Sequence, residues 1–358
     1  MILRNAKRWC RLAAEREAAR KDRGSRGEEQ MKKEHKERKE GEKADEQKKG
    51  KILAICTSQK KGIRKQEVPS AELRENWGIE GDAHAGKWHR QVSMLSFETI
   101  EAFRAKGAKV EFGAFGENLV VEGFDLRTVP VGTMFQIGEA VLKLTQIGKE
   151  CHSHCEIYKT MGDCIMPREG VFTEVVKGGN IKPGDEIHML PLKKGRPFTA
   201  AVVTLSDKGY AGEREDKSGP LIKEILEKRG YDVIETLLLP DEKQSLVRQL
   251  CRLADQRQVN VIFTTGGTGF SERDVTPEAT IEVCDRMAMG ISDAIRQYSL
   301  TITGRAMLSR AVSGIRKKTL IVNLPGSSKA VKESLEYVMP HLGHGLGILR
   351  GTEGECGS

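Results

Sequence analysis

Residues 263–279, Phe-Thr-Thr-Gly-Gly-Thr-Gly-Phe-Ser-Glu-Arg-Asp-Val-Thr-Pro-Glu-Ala, decide the fold of the C-terminal half of this chain. The apolar run 259–263 that leads into them is typical of a buried strand. Thr276 and Pro277 predict a helix N-cap followed by the first helical residue. Between strand and helix, the glycines of the loop 266–269 let backbone N–H groups approach a ligand closely. This arrangement favours an anion site, usually one for phosphate.

The glycine loop differs from two common phosphate-binding loops. No Gly-Lys-Ser/Thr follows it, which excludes a Walker A loop. The spacing G-x-G-x-x-G is absent, which excludes the dinucleotide-binding fingerprint. Asp274 lies beside the loop, where a carboxylate would repel a bound anion unless a metal ion or a hydroxyl donor lies between them.

Apolar runs and helical patterns alternate after a polar linker at 191–197. This alternation predicts a three-layer α/β/α domain over residues 198–350, with a mostly parallel sheet. Ligands bind outside the carboxyl ends of the strands in such sheets. The groups that follow strands, and are therefore expected on one rim, are Asp207, Asp241, the glycine loop and the Pro325-Gly326 turn.

The predicted rim is rich in carboxylates and poor in cationic side chains. Mg²⁺ would neutralise a bound phosphate there, with Asp241 and Asp274 as its ligands, because Mg²⁺ prefers carboxylate and phosphate oxygens. Structural roles remain open for several of these residues. Asp241 fits a helix N-cap, Asp274 a local loop acceptor, Asp207 a turn residue, Asp216 a helix start, Asn323–Gly326 a strand-to-helix turn, and Arg273 an exposed side chain.

The C-terminal half closely resembles the MogA/MoaB family of molybdenum-cofactor proteins. The resemblance covers about residues 198–350 and rests on 263–279 together with Thr204–Asp207, Asp216–Pro220, Leu239–Glu242 and Val322–Ser327. It implies transfer of AMP from ATP to the terminal phosphate of molybdopterin, with Asp241 and Asp274 as catalytic, Mg²⁺-binding residues. It also implies a MoeA-like molybdenum insertase as partner and a homotrimer. The residues expected to bind ATP and molybdopterin are Ser206, Asp207, Asp216, Ser218, Gly266, Gly267, Thr268, Gly269, Thr276, Pro277, Glu278, Asn323, Pro325, Gly326 and Ser327.

Residues 51–190 carry many short apolar runs between turn signals, which predicts a β-rich, barrel-like domain. The stretches Gly81–His89, Phe115–Leu119 and Gly170–Asp185 resemble the MOSC domain. That resemblance implies handling of sulfur or of a molybdenum or tungsten cofactor through one cysteine, and Cys151 matches it by order along the chain. We expect Cys151, Cys155, Cys164 and His84 at this site. Structural zinc and ordinary buried thiols remain alternatives.

Two other functions stay open. The C-terminal domain is also compatible with a non-catalytic, MoaB-like module that binds molybdopterin or an oxyanion. Alternatively, the whole chain could act mainly as a sulfur or metal carrier. A catalytic domain consumes ATP, whereas a binding module does not.

Composition sets limits on the remaining segments of the 358-residue chain. Residues 1–50 contain 17 Lys or Arg against 11 Asp or Glu, which accounts for six of the eight excess positive charges. We expect this tail to be disordered or helical, residues 351–358 to be flexible, and nucleic acid to be an unlikely partner. No apolar stretch is long enough to cross a membrane, and eight cysteines without a secretory signal favour the cytoplasm.

Overall fold

The computed structural model describes residues 49–151, 156–193 and 195–353. The predictions for the tail before Lys49, for Cys155 and for the last five residues lie outside the described residues. From Gly50 onward, the described residues form one compact unit. Within the described ranges, the helices are too short or too polar to span a lipid bilayer.

Seven strands of the N-terminal half close into a barrel, as the sequence predicts. In spatial order they are β1 (Lys49–Thr57), β6 (Leu119–Glu122), β5 (Val92–Ser96), β9 (Val171–Lys177), β8 (Ala140–Ile147), β7 (Met134–Ile137) and β11 (Glu186–Leu190), which pairs back to β1. β5 and β6 are parallel, whereas β9, β8, β7 and β11 run antiparallel to their neighbours. The smaller elements are β2 (Gln66–Glu67), β3 (Ala71–Arg74), β4 (Gly78–Ile79), β10 (Gly179–Ile181), α1 (Phe97–Arg104), α2 (Glu156–Met161) and α3 (Met166–Glu169).

Alternation along the barrel strands separates two apolar clusters. Phe135, Ile137, Leu142 and Leu144 point into the barrel and are fully buried. Outside the barrel, Leu95 packs with residues of α1 and α3 in a second cluster. Because successive side chains of a strand point to opposite faces, one sheet lines both cores.

The C-terminal half is a mixed sheet between two layers of helices. Its order is β13 (Asp232–Leu239), β12 (Thr199–Leu205), β14 (Val261–Thr265), β17 (Thr319–Leu324), β16 (Ser313–Arg316) and β15 (Arg286–Met287). The first four strands are parallel and the last two are antiparallel. The helices are α4 (Asp207–Tyr210), α5 (Ser218–Lys228), α6 (Lys243–Cys251) with a π-helical turn at Arg252–Gln256, α7 (Thr276–Val283), α8 (Met289–Leu300), a 3₁₀ turn at Gly304–Leu308 and α9 (Ser328–Arg350).

Strand β12 shows why the fold has three layers. Ala200 and Val202 face the cluster formed with α5, α8 and α9. Ala201 and Val203 face the opposite cluster formed with α6 and α7. The strand is therefore apolar throughout, as a central parallel strand must be when both faces are covered.

The sequence pattern predicts helices over residues 277–286 and 327–338, and both end elsewhere in the structure. Helix α7 ends at Val283, not at Arg286, because Arg286 pairs with Ile315 in the antiparallel edge of the sheet. Helix α9 continues past Val338 to Arg350 although Pro340 lies inside it. The apolar side chains after the proline stay buried in the core, and this packing outweighs the local cost of the missing hydrogen bond.

The barrel and the C-terminal sheet are in direct contact. The Arg257 guanidinium donates to the Thr145 carbonyl oxygen (2.9 Å), and the Val131 N–H donates to the Gln258 side chain (3.0 Å). Arg350, at the end of α9, donates to the carbonyl oxygens of Arg196 and Pro197, both at 2.7 Å. The predicted linker is thus held by the last turn of the closing helix.

Candidate functional site

The glycine loop follows β14 at the carboxyl rim of the sheet, and its conformation requires glycine. Gly266 and Gly267 have φ of 93° and 63°. A Cβ on Gly266 would lie 2.3 Å from the Leu205 carbonyl oxygen, and one on Gly267 would lie 2.5 Å from Thr276 Oγ1. Neighbouring backbone and side chains therefore fill the space that a larger residue would need.

Thr276 supports the loop from the start of α7. Its hydroxyl donates to the Gly266 carbonyl oxygen (2.9 Å), and its N–H donates to that of Gly267 (3.1 Å). The predicted N-cap role of Thr276 differs from the structure, in which Val275 is the N-cap and Thr276 is the first helical residue. The hydroxyl supports the loop instead, and Pro277 is the second helical residue, one position later than predicted.

Asp207 and Asp241 join the ends of β12 and β13. The Asp207 N–H donates to Asp241 Oδ2 and the Asp241 N–H donates to Asp207 Oδ1, both at 2.9 Å. Arg273 donates to both oxygens of Asp207, at 2.9 and 2.7 Å. The Arg273 hydrogen bonds hold the pKa of Asp207 below its usual range. Arg273 is therefore an ion-pair partner of Asp207 at an exposed position.

Asp241 and Asp274 flank the glycine loop. Asp274 Oδ2 accepts from the Ser271 N–H (2.8 Å) and would lie 3.0 Å from a Cβ on Gly269. Asp241 Oδ1 would lie 3.4 Å from a Cβ on Gly267. Burial raises the pKa of Asp241, and the charges of Asp207 and Asp274 raise it further. In the described part of the chain, the Oδ1 atom of each of these two carboxylates accepts no protein hydrogen bond.

Three arginines border this rim, although the sequence predicts few cations there. Besides Arg273, Arg214 donates to the Ser206 hydroxyl (2.8 Å), which itself accepts from Gly209 N–H at the start of α4. Arg310 donates to the Gly269 carbonyl oxygen (2.6 Å) and pairs with Glu278 in the first turn of α7. The Arg310 N–H also donates to the Thr268 carbonyl oxygen (2.9 Å). Arg310 thus fixes the loop from a distant part of the chain, which no local pattern reveals.

Several predicted ligand residues lie beneath the rim in structural hydrogen bonds. Asn323 is fully buried, and its amide donates to the hydroxyls of Thr264 and Thr280, both at 2.9 Å. Asp216 accepts from the N–H groups of Ser218 and Gly219, both at 3.0 Å, at the start of α5. The other bonds of this set are Ser218 Oγ to the Gly326 carbonyl, Thr265 Oγ1 to the Pro325 carbonyl, and the Ala330 N–H to the Ser327 hydroxyl that caps α9.

The barrel holds a second polar cluster around His84. Lys65 and Asp82 form a buried ion pair, each side chain 1% exposed. The Lys65 ammonium also donates to His84 Nδ1 (3.4 Å), and the His84 N–H donates to Asp82 Oδ1 (2.9 Å). Burial alone would raise the pKa of Asp82, but hydrogen bonds from His84 and Lys65 hold it below its usual range. His84 is thereby fixed through Nδ1.

The cysteines expected at the barrel site occupy different environments. Cys151 is exposed, whereas Cys164 is buried in the cluster beneath α1. Cys155 lies outside the described residues. Within the described ranges, no three His, Cys, Asp or Glu side chains are arranged to hold a metal ion.

Comparisons with known proteins match both halves of the chain. Residues 201–344 match the family described as a probable molybdopterin binding domain, and residues 61–188 match the MOSC domain. The molybdopterin adenylyltransferase of Escherichia coli K12 is 43% identical over 139 residues, which is 38% of this chain and 71% of that protein. That of Helicobacter pylori 26695 is 38% identical over 42% of this chain and 87% of that protein.

Solved structures of this kind are also similar. The molybdopterin biosynthesis enzyme MoaB of Thermus thermophilus is 44% identical, with a TM-score of 0.42, over 43% of this chain and 97% of that one. The family model of the molybdopterin binding domain covers the C-terminal half, the two adenylyltransferases are similar over more than two thirds of their length, and the barrel matches the MOSC domain separately. The chain therefore belongs to the MogA/MoaB-type family of molybdenum-cofactor biosynthesis proteins, with a MOSC domain on the N-terminal side.

Proposed function

We propose that this protein catalyses the ATP- and Mg²⁺-dependent adenylylation of molybdopterin at the carboxyl rim of its C-terminal domain. The observation that carries the proposal is the pair of carboxylates beside the glycine loop, each with one oxygen not used by the protein. In this proposal residues 198–350 form the catalytic domain, residues 51–190 form the MOSC domain, and 191–197 link them. The protein is further proposed to act in the cytoplasm.

The residues at the rim have separate parts in this reaction. The N–H groups of the glycine loop align phosphate oxygens, which is the main requirement of nucleotidyl transfer. Arg310 and Thr276 keep that loop in place through its carbonyl oxygens. Asp207 positions Asp241 through the reciprocal backbone hydrogen bonds.

The rim fits Mg²⁺. The Oδ1 atoms of Asp241 and Asp274 are the groups that would hold it, since Mg²⁺ commonly takes one or two carboxylates and completes its shell with phosphates and water. When bound, it would neutralise phosphate charge. The raised pKa of Asp241 has neighbouring carboxylates among its causes, and a cation relieves that repulsion.

The MOSC domain is proposed to handle sulfur or the molybdenum or tungsten cofactor before or after the adenylylation step. Exposure of Cys151 supports this, because a reactive thiol must be accessible. A MoeA-like insertase is the proposed consumer of the adenylylated product. Joining both modules in one chain raises the local concentration of a shared intermediate.

A homotrimer forms part of the same proposal. Leu300, at the end of α8, and Ile302, Met307 and Leu308, in and before the following 3₁₀ turn, are large apolar side chains between 42% and 66% exposed. Large exposed apolar side chains are the kind that an association surface buries.

The decisive experiment compares Asp274→Asn with Asp232→Asn in the full-length protein. Asp232 is an exposed residue at the opposite end of the sheet, where β13 begins. Purified protein is mixed with ATP, Mg²⁺ and molybdopterin, and pyrophosphate release is measured. We expect Asp274→Asn to reduce turnover by roughly 10²-fold, the scale of one preorganised electrostatic group, and Asp232→Asn to match the wild type.

Two outcomes would contradict the proposal. Wild-type turnover in Asp274→Asn would show that this carboxylate only shapes the loop. Binding of molybdopterin without any consumption of ATP by the wild-type protein would favour the non-catalytic, MoaB-like function instead.

A further inference from the structure

The contact between the barrel and the C-terminal sheet concentrates positive charge. Arg252 and Arg257 follow α6 and share one carboxylate, that of Glu235. The guanidinium of Arg90, from the barrel, is close enough for the charges of Arg252 and Glu235 to act on it. Two guanidinium groups thus share one carboxylate, and a third lies within range of its charge. The next acidic side chain that acts on Arg257 is Glu174, which pairs with Lys143 at 3.1 Å.

Arg257 is not satisfied by its protein partners. It is 4% exposed, and one Nη donates to the Thr145 carbonyl oxygen (2.9 Å). Its buried Nε makes no hydrogen bond, because the nearest Glu235 oxygen is 3.6 Å away. A buried, incompletely paired guanidinium is costly unless a further acceptor reaches it.

Arg90 shows the same deficit from the barrel side. Its Nε is buried without a hydrogen-bond partner. The guanidinium carbon lies 4.7 Å from the ring centroid of Trp88 and 5.6 Å from that of Phe172. Ring faces hold the cation in place but accept no conventional hydrogen bonds. Within the described ranges Arg90 has no carboxylate in ion-pair contact, so its terminal Nη groups remain available.

The neighbouring groups favour an anion over a cation at this place. His89 hydrogen-bonds Gln146 (2.8 Å), which lies 3.4 Å from Gln256 of the C-terminal half. Burial, with the charges of Arg257 and Arg90, lowers the pKa of His89 to about 4. The imidazole is therefore neutral at pH 7 and adds no charge. Trp88 and Arg90 are partly exposed, which leaves an approach from solvent.

We propose that Arg90 and Arg257 bind a tetrahedral oxyanion, either free or as a phosphate monoester, between the barrel and the C-terminal sheet. The anion accepts from terminal Nη groups of the two arginines and offsets the excess positive charge. Arg presents planar, multiple donors that match tetrahedral oxyanions well. The site uses one residue from each half of the chain, so its occupancy also stabilises their contact. This inference is independent of the proposed adenylylation.

The test measures binding of inorganic phosphate to the full-length protein by equilibrium dialysis, in chloride buffer at fixed ionic strength. We expect Arg90→Gln to weaken one phosphate site per chain by roughly tenfold or more, the scale of a lost charge-assisted hydrogen bond. Arg74→Gln is the matched control, because it removes an equal charge from an exposed arginine paired with Glu80. It should bind phosphate as the wild type does.

Glu235→Gln provides a test in the opposite direction. Removing the shared carboxylate raises the local positive charge, so phosphate should bind several-fold more tightly. The melting temperature of each variant, with and without phosphate, reports folding separately from binding. If this variant fails to fold, the Arg90→Gln result decides. Wild-type phosphate affinity in Arg90→Gln, or no tightening in a folded Glu235→Gln protein, would overturn the proposal.

Two further probes identify the source of the anion. Molybdate serves as a free oxyanion and glycerol 2-phosphate as a monoester. Arg90-dependent binding of the first alone indicates a free oxyanion, and binding of the second indicates the phosphate of a larger ligand. No Arg90-dependent binding of phosphate, molybdate or the monoester refutes the site. Pyrophosphate release should be unchanged in Arg90→Gln, which separates this test from that of the adenylylation proposal.

Discussion

The carboxyl rim and the barrel interior use the same residue types in opposite ways. At the rim, Asp241 and Asp274 keep oxygen atoms that the protein does not use, and Asp207 pairs with the exposed Arg273. In the barrel, Lys65 and Asp82 are buried and bonded to each other. Glu117 is likewise buried and accepts from the N–H groups of Gly113 and Phe115. The rim thus keeps carboxylate oxygens that the protein does not use, whereas the buried carboxylates of the barrel accept from protein donors.

The difference teaches that burial and partners, not residue type, decide what an aspartate does. Burying a charge costs several kcal/mol unless the charge is paired. The partners of the buried side chains in the barrel are therefore needed for its stability. A solvent-exposed ion pair such as Asp207–Arg273 contributes little to stability. Substitutions in the two regions should therefore differ most in stability.

The largest expected effect is that of Lys65→Met, which leaves Asp82 buried without its cation. We expect the free energy of unfolding of the barrel to fall by about 3–5 kcal/mol, the usual result of removing one partner from a buried pair. Urea denaturation measures it. Arg64→Met is the matched control, since Arg64 pairs with Glu111 at the surface. Equal stability of the two variants would break the contrast between the regions.

A smaller, pH-dependent effect is expected from Glu117→Gln. Burial raises the pKa of Glu117 from its ordinary value of 4.5 to about 7. Between these pH values the folded protein holds a proton that the unfolded chain releases, so stability falls as pH rises, by up to about 1.4 kcal/mol per pH unit. The difference in unfolding free energy between wild type and Glu117→Gln should follow this slope from pH 4.5 to 7. A constant difference would contradict it.

His89→Gln should reveal a slope of the opposite sign. The folded pKa of His89, about 4, lies below its usual 6.5. The unfolded chain binds the extra proton between these values, so the contribution to stability rises with pH and is lost as pH falls towards 4. Unfolding measured across pH 4–6.5 tests this, and a difference between wild type and variant that falls with rising pH would refute it.

The smallest effect belongs to Arg273→Gln at the rim. Its ion pair with Asp207 is exposed to solvent, so the melting temperature should stay within experimental scatter of the wild type. The pKa of Asp207, followed by NMR, should return towards its usual range because the bidentate donors are lost. A fall in melting temperature as large as that of Lys65→Met would mean that the rim is also a structural charge network.

The sequence predicts those features that depend on residues close together along the chain. The strand, the glycine loop and the start of α7 are adjacent along the chain. The hydrophobic periodicity and the turn-forming residues are sufficient to predict them. The role of Arg310 cannot be predicted in this way, because Arg310 donates to the carbonyl oxygen of Asp274, which is 36 positions away in sequence. The pairing of Lys65 with Asp82 cannot be predicted either, because no residue near Lys65 in sequence indicates that this lysine is buried.

The antiparallel edge of the C-terminal sheet marks another limit. β15 and β16 are short and carry mixed residues, so their alternation is too weak to predict strands. Asn323 follows an apolar run at the expected strand end, but the sequence cannot show that its amide is consumed by two buried threonines. The sequence predicts where a residue lies along a strand. Which partners its polar side chain finds depends on tertiary packing.

The hydrogen bonds between Arg350 and the linker have a consequence for folding during protein synthesis. Its guanidinium binds the carbonyl oxygens of Arg196 and Pro197 and lies 4.1 Å from the ring centroid of Phe198. Domains fold in order as the chain emerges, the N-terminal one first. The barrel can therefore fold before residue 350 is made, at a stage when the linker still lacks its hydrogen bonds with Arg350. The linker acquires these hydrogen bonds only after residue 350 has been made, and a chain that stops just before Arg350 would lose them.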